Sequence, residues 1–518
     1  MKIKILLITI FSAWMFSSCF KDEGNYTYKP DSDVYGEVAS QTAFLGEEIE
    51  IHPIMHWGNL KDTTQVRMEW YVHDTIVSTE RFLRYKATST QSTTCYLTVY
   101  HPETGIPAYE YFTITATSPY TKGWCILYDK GGESELAHIA MSTSKNEETG
   151  ETKTEYVLYK DIYQNINGTS LGSDPVKITE HYLVYYKKNC QFLVIQRGGQ
   201  GCVELDGSSL KKVVTLQQDF INEELPANFA PNDVIYMQYY HFVWNSDGNI
   251  YGRTNPDYNA GFNLTSFSNL PLYAEGGLRV DKILYTPYHL MDFVILYDGL
   301  NNRLIPYGSV YKETSGDPGV FDINPDQYPE GYLPLDNLGD YKLIYGSSCN
   351  DVESAYGNEA DFSMLLHNPQ TNKYLWQTFH VKKKSAQFIA TIPQHDALVE
   401  FPRGDLINGK NIFWMFRNRA YLFFTAGANN DQLWYFDTKK FTVHLYKDFN
   451  GKEITAMHPN LGYKQLGVGL KDGTFSIFDV TDEVLVSGQP KEIYSVDGIG
   501  KIVDVIYRYD AYDDHWWW

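Results

Sequence analysis

Seven times between residues 126 and 479, a short apolar or aromatic run ends in Asp or Asn and breaks into a tight turn. The copies are Ile126-Leu127-Tyr128-Asp129, Val203-Glu204-Leu205-Asp206-Gly207, Val243-Trp244-Asn245-Ser246-Asp247-Gly248, Ile295-Leu296-Tyr297-Asp298-Gly299, Leu365-Leu366-His367-Asn368-Pro369, Trp434-Tyr435-Phe436-Asp437-Thr438 and Phe475-Ser476-Ile477-Phe478-Asp479. Such tips suit hairpins, because Gly, Asn and Asp tolerate positive φ. The copies average about 57 residues apiece, slightly more than a four-stranded propeller blade needs. Tyr156–Asp161 reads as a candidate eighth copy. Helix signals are scarce: Gln217–Leu225 is long enough for two turns, and Asp351–Ala360 carries Gly357. Strand pairs without crossover helices exclude a parallel α/β sheet. The expectation is a β-propeller, seven-bladed, with Gly123–Asp129 and Lys501–Tyr509 meeting at its closure. A large two-sheet β domain is the competing arrangement.

Upstream, residues 34–118 read as short strands separated by turns. Glu47–His52 and Met68–Val72 alternate with period two. Thr94–Tyr100 runs into the turn His101-Pro102-Glu103-Thr104-Gly105, and Tyr111–Ala116 closes the unit. This spacing predicts a β-sandwich of immunoglobulin size. The Trp70-Tyr71 strand, the Leu97-Thr98-Val99-Tyr100 turn entry and the Phe112–Ser118 strand resemble a PKD-like domain. The junction Ser118–Tyr128, with Gly123-Trp124, is similar to the PKD-like lipoproteins found beside SusC/SusD-type uptake systems. The resemblance covers the N-terminal signal, the module and the junction well, and the last 400 residues only loosely.

The first residues suggest an address. Met1-Lys2-Ile3-Lys4 is basic, and Ile5–Phe16 is an apolar run of signal-peptide length, too short to span a bilayer. Ser17 and Ser18 then precede Cys19. This start resembles bacterial lipoproteins, with Phe16 where Leu is usual. The resemblance implies cleavage after residue 18 and acylation of Cys19, with 19–33 as a lipid-anchored tether. Lys21-Asp22-Glu23 resembles the surface-export signal of SusD-type lipoproteins. Together they imply a Gram-negative outer-membrane protein facing the medium, held by more than one acyl chain.

Composition removes some functions. A net charge of −21 disfavours nucleic acid and anionic head groups. The 42 Tyr suit pleated sheets and binding surfaces alike, so they locate no site. Besides Cys19, the scattered Cys95, Cys125, Cys190, Cys202 and Cys349 make no disulfide framework and no zinc ribbon. Gly168-Thr169-Ser170-Leu171-Gly172 matches G-x-S-x-G, but Asn and Pro around it predict a loop rather than a nucleophile elbow. Glu180-His181 lacks the second His of a zincin. Asp479-Val480-Thr481-Asp482-Glu483 lacks the one-three-five spacing of a Ca²⁺ loop and reads as a solvated turn. No Walker-type phosphate loop occurs. The chain thus offers no catalytic residue, metal ligand or cofactor site in a credible context. The bacterial envelope that the resemblance implies argues against glycosylation at the sequons Asn25 and Asn263.

The resemblance implies a non-catalytic accessory of a SusC/SusD-type nutrient importer, contacting the transporter or other surface lipoproteins and capturing an oligosaccharide or peptide. Two alternatives stand beside it: an extracellular propeller enzyme, lyase or glycosidase, and a structural lipoprotein bridging envelope proteins. The loop-like stretches Tyr251–Ser268 and Tyr311–Asp340 are the candidate binding loops. Trp516-Trp517-Trp518 is read as packing or partner contact before ligand stacking.

Overall fold

The computed structural model describes residues 32–45, 47–87, 92–145, 152–183, 188–237, 240–254, 265–285, 293–309, 316–324, 326, 328–349, 358–417 and 419–509. The chain divides into two compact units, Met1–Thr117 and Ser118–Trp518. Cys19, Lys21, Asp22, Glu23, Trp516–Trp518, both sequons and residues 351–357 lie outside the described residues.

The N-terminal unit is a β-sandwich. One sheet runs, in spatial order, Gln41–Phe44, Pro107–Thr117, Thr93–Tyr100, Arg67–Val72 and Thr75–Ser78. Two strand pairs, Tyr35–Glu37 with Ile54–His56 and Glu48–Ile51 with Leu83–Lys86, complete it. Period-two alternation sends Met68, Trp70 and Val72 inward, where they meet Leu97, Phe112, Ile51 and Leu83. The Trp70 indole donates to the Glu80 carbonyl at 2.9 Å, so burying it leaves no orphan donor. On the outward face the register aligns Ile76, Tyr71, Tyr96 and Tyr111 in one row across four strands.

The C-terminal unit contains seven sheets among the described residues, arranged as propeller blades. Blade 1 is Gly123–Asp129, Ser134–Lys145 and Thr152–Tyr159, completed by Lys501–Arg508 from the far end of the chain. Blades 2 to 7 begin with Ser173–Leu183, Pro231–Tyr236, Val280–Leu284, Lys342–Ser348, Phe413–Met415 and Ile454–Pro459, each followed outward by antiparallel neighbours. Blade 5 carries two additions, Leu398–Glu400 and the parallel strand Phe321–Asp322. The closure falls where the sequence put it: Gly123 pairs with Arg508 and Asp129 with Lys501.

Seven apolar cores each join two consecutive blades. Phe192 and Val194 face Leu127 and Leu136 of blade 1, whereas Leu193 and Ile195 face Val234 and Val243 of blade 3. Phe242 meets Leu296, Phe293 meets Phe362, Leu365 meets Phe424 and Phe423 meets Phe478. The circle ends with Phe475 and Ile477 of blade 7 against Trp124, Ile126 and Val505 of blade 1. Each middle strand therefore buries both faces, so its sequence reads as a continuous apolar run rather than an alternation. Gly467 lets the last interface close, since a Cβ there would lie 2.6 Å from the Trp124 ring.

Each blade holds one copy of the sequence repeat. The copies occupy the second strand of blades 1, 3, 4 and 5 and the third of blades 2, 6 and 7, counting from the inner strand. Their Asp and Asn residues tie the turns. Asp206 accepts from the amides of Ser208 and Ser209, Asp298 from Leu300, Asn368 from Gln370 and Thr371, and Asp437 from Lys439 and Lys440. Tyr156–Asp161 is not an eighth copy; its strand is the outer edge of blade 1. The stretch from Gln217 forms two 3₁₀ pieces, Leu216–Asp219 and Ile221–Glu223. Two six-residue α-helices, Ile162–Asn167 and Asp482–Ser487, were not foreseen.

Candidate functional site: a cavity on the propeller axis

The strands that open the blades sit side by side around the axis, and their inward side chains surround a cavity of about 200 Å³. Blades 2 to 7 run outward from their first strands, whereas blade 1 has the closing strand Lys501–Arg508 innermost. Residues far apart in sequence thus converge: Lys177, Ile178, Thr179 and Glu180 from blade 2, Ile283 and Tyr285 from blade 4, Tyr345 and Ser347 from blade 5, Phe413, Trp414 and Met415 from blade 6, His458 from blade 7, and Asp504 and Tyr507 from blade 1.

Two ion pairs are built into the wall. The Lys177 ammonium meets the Asp233 carboxylate, which also accepts the Tyr285 hydroxyl at 2.7 Å and the Val234 amide at 2.9 Å. Burial alone would lower the Lys177 ammonium, but Asp233, Tyr285 and Asp504 outweigh it and hold the pKa well above the usual range. Lys177 is still 37% exposed, so water screens part of this attraction, while Asp233 is only 3% exposed. Burial and the adjacent Asp233 push the Tyr285 phenol well up, so it stays a proton donor. The second pair is Glu180 with Arg508, both buried. The Arg508 Nε donates to Glu180 Oε2 at 2.8 Å, and its other nitrogens reach Glu180 Oε1 and the carbonyls of Tyr120 and Gly207. Its guanidinium also lies 4.8 Å from the Phe192 ring centre. This bidentate fork ties the closing strand to blade 2.

Asp504 is different. Its Oδ2 accepts the Ile178 amide at 2.9 Å. Burial pushes its pKa up to about 6 against the pull of Lys177, and Asp233 adds repulsion. His458, under the Trp414 ring at 4.2 Å, is held neutral by burial, its pKa lowered to about 3. Tyr345 stacks on Phe413 at 5.1 Å and its hydroxyl accepts the Met415 amide at 2.9 Å. The result is a chamber lined by aromatic rings and by charged groups held in fixed positions.

None of these residues carried a motif. Their signal was a charge inside an otherwise apolar strand, as in Val176-Lys177-Ile178 and Ile502-Val503-Asp504-Val505-Ile506. Among the described residues, those of the candidate loops do not line the cavity, whose walls come mainly from strands. Residues 255–264, 310–315, 325 and 327 of those loops lie outside the described residues. The Gly168–Gly172 segment follows a helix and precedes a strand, the reverse of an elbow. Glu180 serves the Arg508 pair, and His181 contacts Gln191 at 3.0 Å and stacks on Tyr236. The acidic stretch Asp479–Glu483 is not merely a solvated turn: Asp479 accepts the Thr481 amide and hydroxyl and leads into the helix from Asp482. Cys95, Cys125, Cys202 and Cys349 are free thiols, with Cys125 pushed up to about 12 by burial and thus unreactive. Among the described residues, no group of three or more His, Cys, Asp or Glu is placed to hold a metal ion.

Fold and site define an all-β protein: a PKD-like sandwich followed by a propeller with an axial chamber. The PKD-like family profile matches residues 19–175, reaching past the sandwich through the first three strands of blade 1. No curated protein matches the chain. Among solved structures, it is similar to a quinonprotein alcohol dehydrogenase-like protein of Bacteroides thetaiotaomicron, at 12% identity over 91% of this chain and 96% of that one, TM-score 0.34. It is also similar to a candidate 6-phosphogluconolactonase of Bacteroides uniformis, at 10% identity over 74% and 98%, TM-score 0.41. The β-propeller domain of Cps50 (Swd1) from Myceliophteria thermophila matches at 8% identity over 65% and 91%, TM-score 0.35.

Proposed function

We propose that this chain is a surface-exposed outer-membrane lipoprotein, acylated at Cys19 and exported through Lys21-Asp22-Glu23. In this reading it is a non-catalytic accessory of a SusC/SusD-type uptake system that captures an oligosaccharide or peptide. The observation that carries the binding reading is the aromatic, charge-bearing chamber on the propeller axis. Its Lys177–Asp233 and Glu180–Arg508 pairs are already locked to backbone and neighbours, which suits recognition by fixed groups. Acyl chains would confine the protein to the membrane surface and raise its effective concentration near a transporter, so modest affinity suffices.

The test uses the lipidated protein in its own cells. Protease added to intact cells removes the protein, mass spectrometry finds a diacyl or triacyl Cys19, and a tagged copy brings a SusC-type channel through mild detergent. Glycan and peptide panels on the purified lipoprotein then yield a ligand. An unmodified N-terminus, full protection in intact cells, or retention of no transporter overturns the respective part of the reading.

A further inference from the structure

Counting charge around the chamber gives a remainder. Lys177 is matched by Asp233, and Arg508 by Glu180. His458 is neutral. Lys177 pairs with Asp233 and also pulls on Asp504, so that two carboxylates share one ammonium; Asp504, held in place by the Ile178 amide, is the carboxylate of the two that lines the chamber. Trp414, Phe413, Tyr345 and Tyr285 line the same chamber, and aromatic rings attract cations. The volume of about 200 Å³ exceeds the ~150 Å³ of a cavity known to admit benzene, so one six-membered ring or a short chain fits.

We infer that the chamber takes a small organic cation: a primary ammonium seated on the Asp504 carboxylate, with its carbon body against Trp414 and Phe413. This rests on the binding reading above and narrows it to amine-bearing ligands. Two sources share that chemistry, an amino sugar and the amine of a peptide. Lys177 and Asp233 act on Asp504 electrostatically, and Tyr285, Glu180, paired with Arg508, and neutral His458 line the same chamber. The carboxyl is pushed up to about 6, so binding weakens as pH falls through that value.

The test is calorimetry on the full lipoprotein in detergent with glucosamine, N-acetylglucosamine, glucose, butylamine and a lysine-bearing tripeptide. At pH 7.5 at least one amine binds tenfold or more tightly than its neutral counterpart, and its affinity falls at least threefold at pH 5. Asp504→Asn removes that preference while the thermal transition persists. Preference for glucosamine over butylamine and tripeptide assigns a glycan source; the reverse assigns a peptide. Failure of every amine, equal binding of glucose and glucosamine, or unchanged amine affinity in Asp504→Asn overturns the inference. Binding of neutral sugars alone would sink the cation assignment and leave the capture reading intact. The surface and acylation experiments fail independently of both.

Discussion

Asp504 has a folded pKa of about 6, above its ordinary value of 3.8. A raised carboxyl favours the fold while protonated, and that contribution is lost as pH rises through about 6. Asp504→Asn is therefore expected to stabilise the ligand-free protein at pH 7.5, on the order of 1–2 kcal/mol, and to change little at pH 4. Thermal melts at the two pH values check this; a loss of stability at pH 7.5 would contradict it. Arg508 makes the opposite case. Arg508→Ala strands the buried Glu180 and is expected to cost about 3–5 kcal/mol. Adding Glu180→Gln should recover part of that loss, read from a double-mutant cycle in urea. Neither residue was legible as a site. Lys177, Asp233, Tyr285 and Asp504 come from four blades, so no spacing along the chain relates them. Sequence showed the propeller but not which side chains its axis gathers.

The blades themselves were far more legible. Each contributes one apolar run ending in Asp or Asn, and that signature counts seven because the side chain that ties the turn recurs in every blade. The copies are not equivalent strands, which explains their uneven spacing. The two short helices escaped because six residues are too few to show a 3.6-residue period. The closing strand makes a testable element. A chain stopped after Gly500 leaves blade 1 without its inner strand and removes Ile502 and Val505 from the last interface. Limited proteolysis is expected to degrade residues beyond 118 while a sandwich fragment persists on its separate core. Gly467→Leu should act on the same interface by driving a side chain into Trp124, lowering the propeller transition with little effect on the sandwich.

At the scale of the whole molecule, the architecture was legible in the repeat and the strand spacing, whereas the envelope address proposed from residues 1–23 awaits its own experiment. On the proposed acylation, replacing Cys19 by Ser is expected to release the protein from the membrane fraction with its fold unchanged, checked by fractionation and circular dichroism; retention in the membrane fraction would contradict the proposal. The ring carries one more implication. Because the opening blade is finished only by Lys501–Arg508, no shortened product can hide the hydrogen-bonding rim of Gly123–Asp129. Stalling or clipping ahead of Lys501 would leave that rim open to proteases, so the topology makes protection of the first blade depend on a strand made almost four hundred residues later.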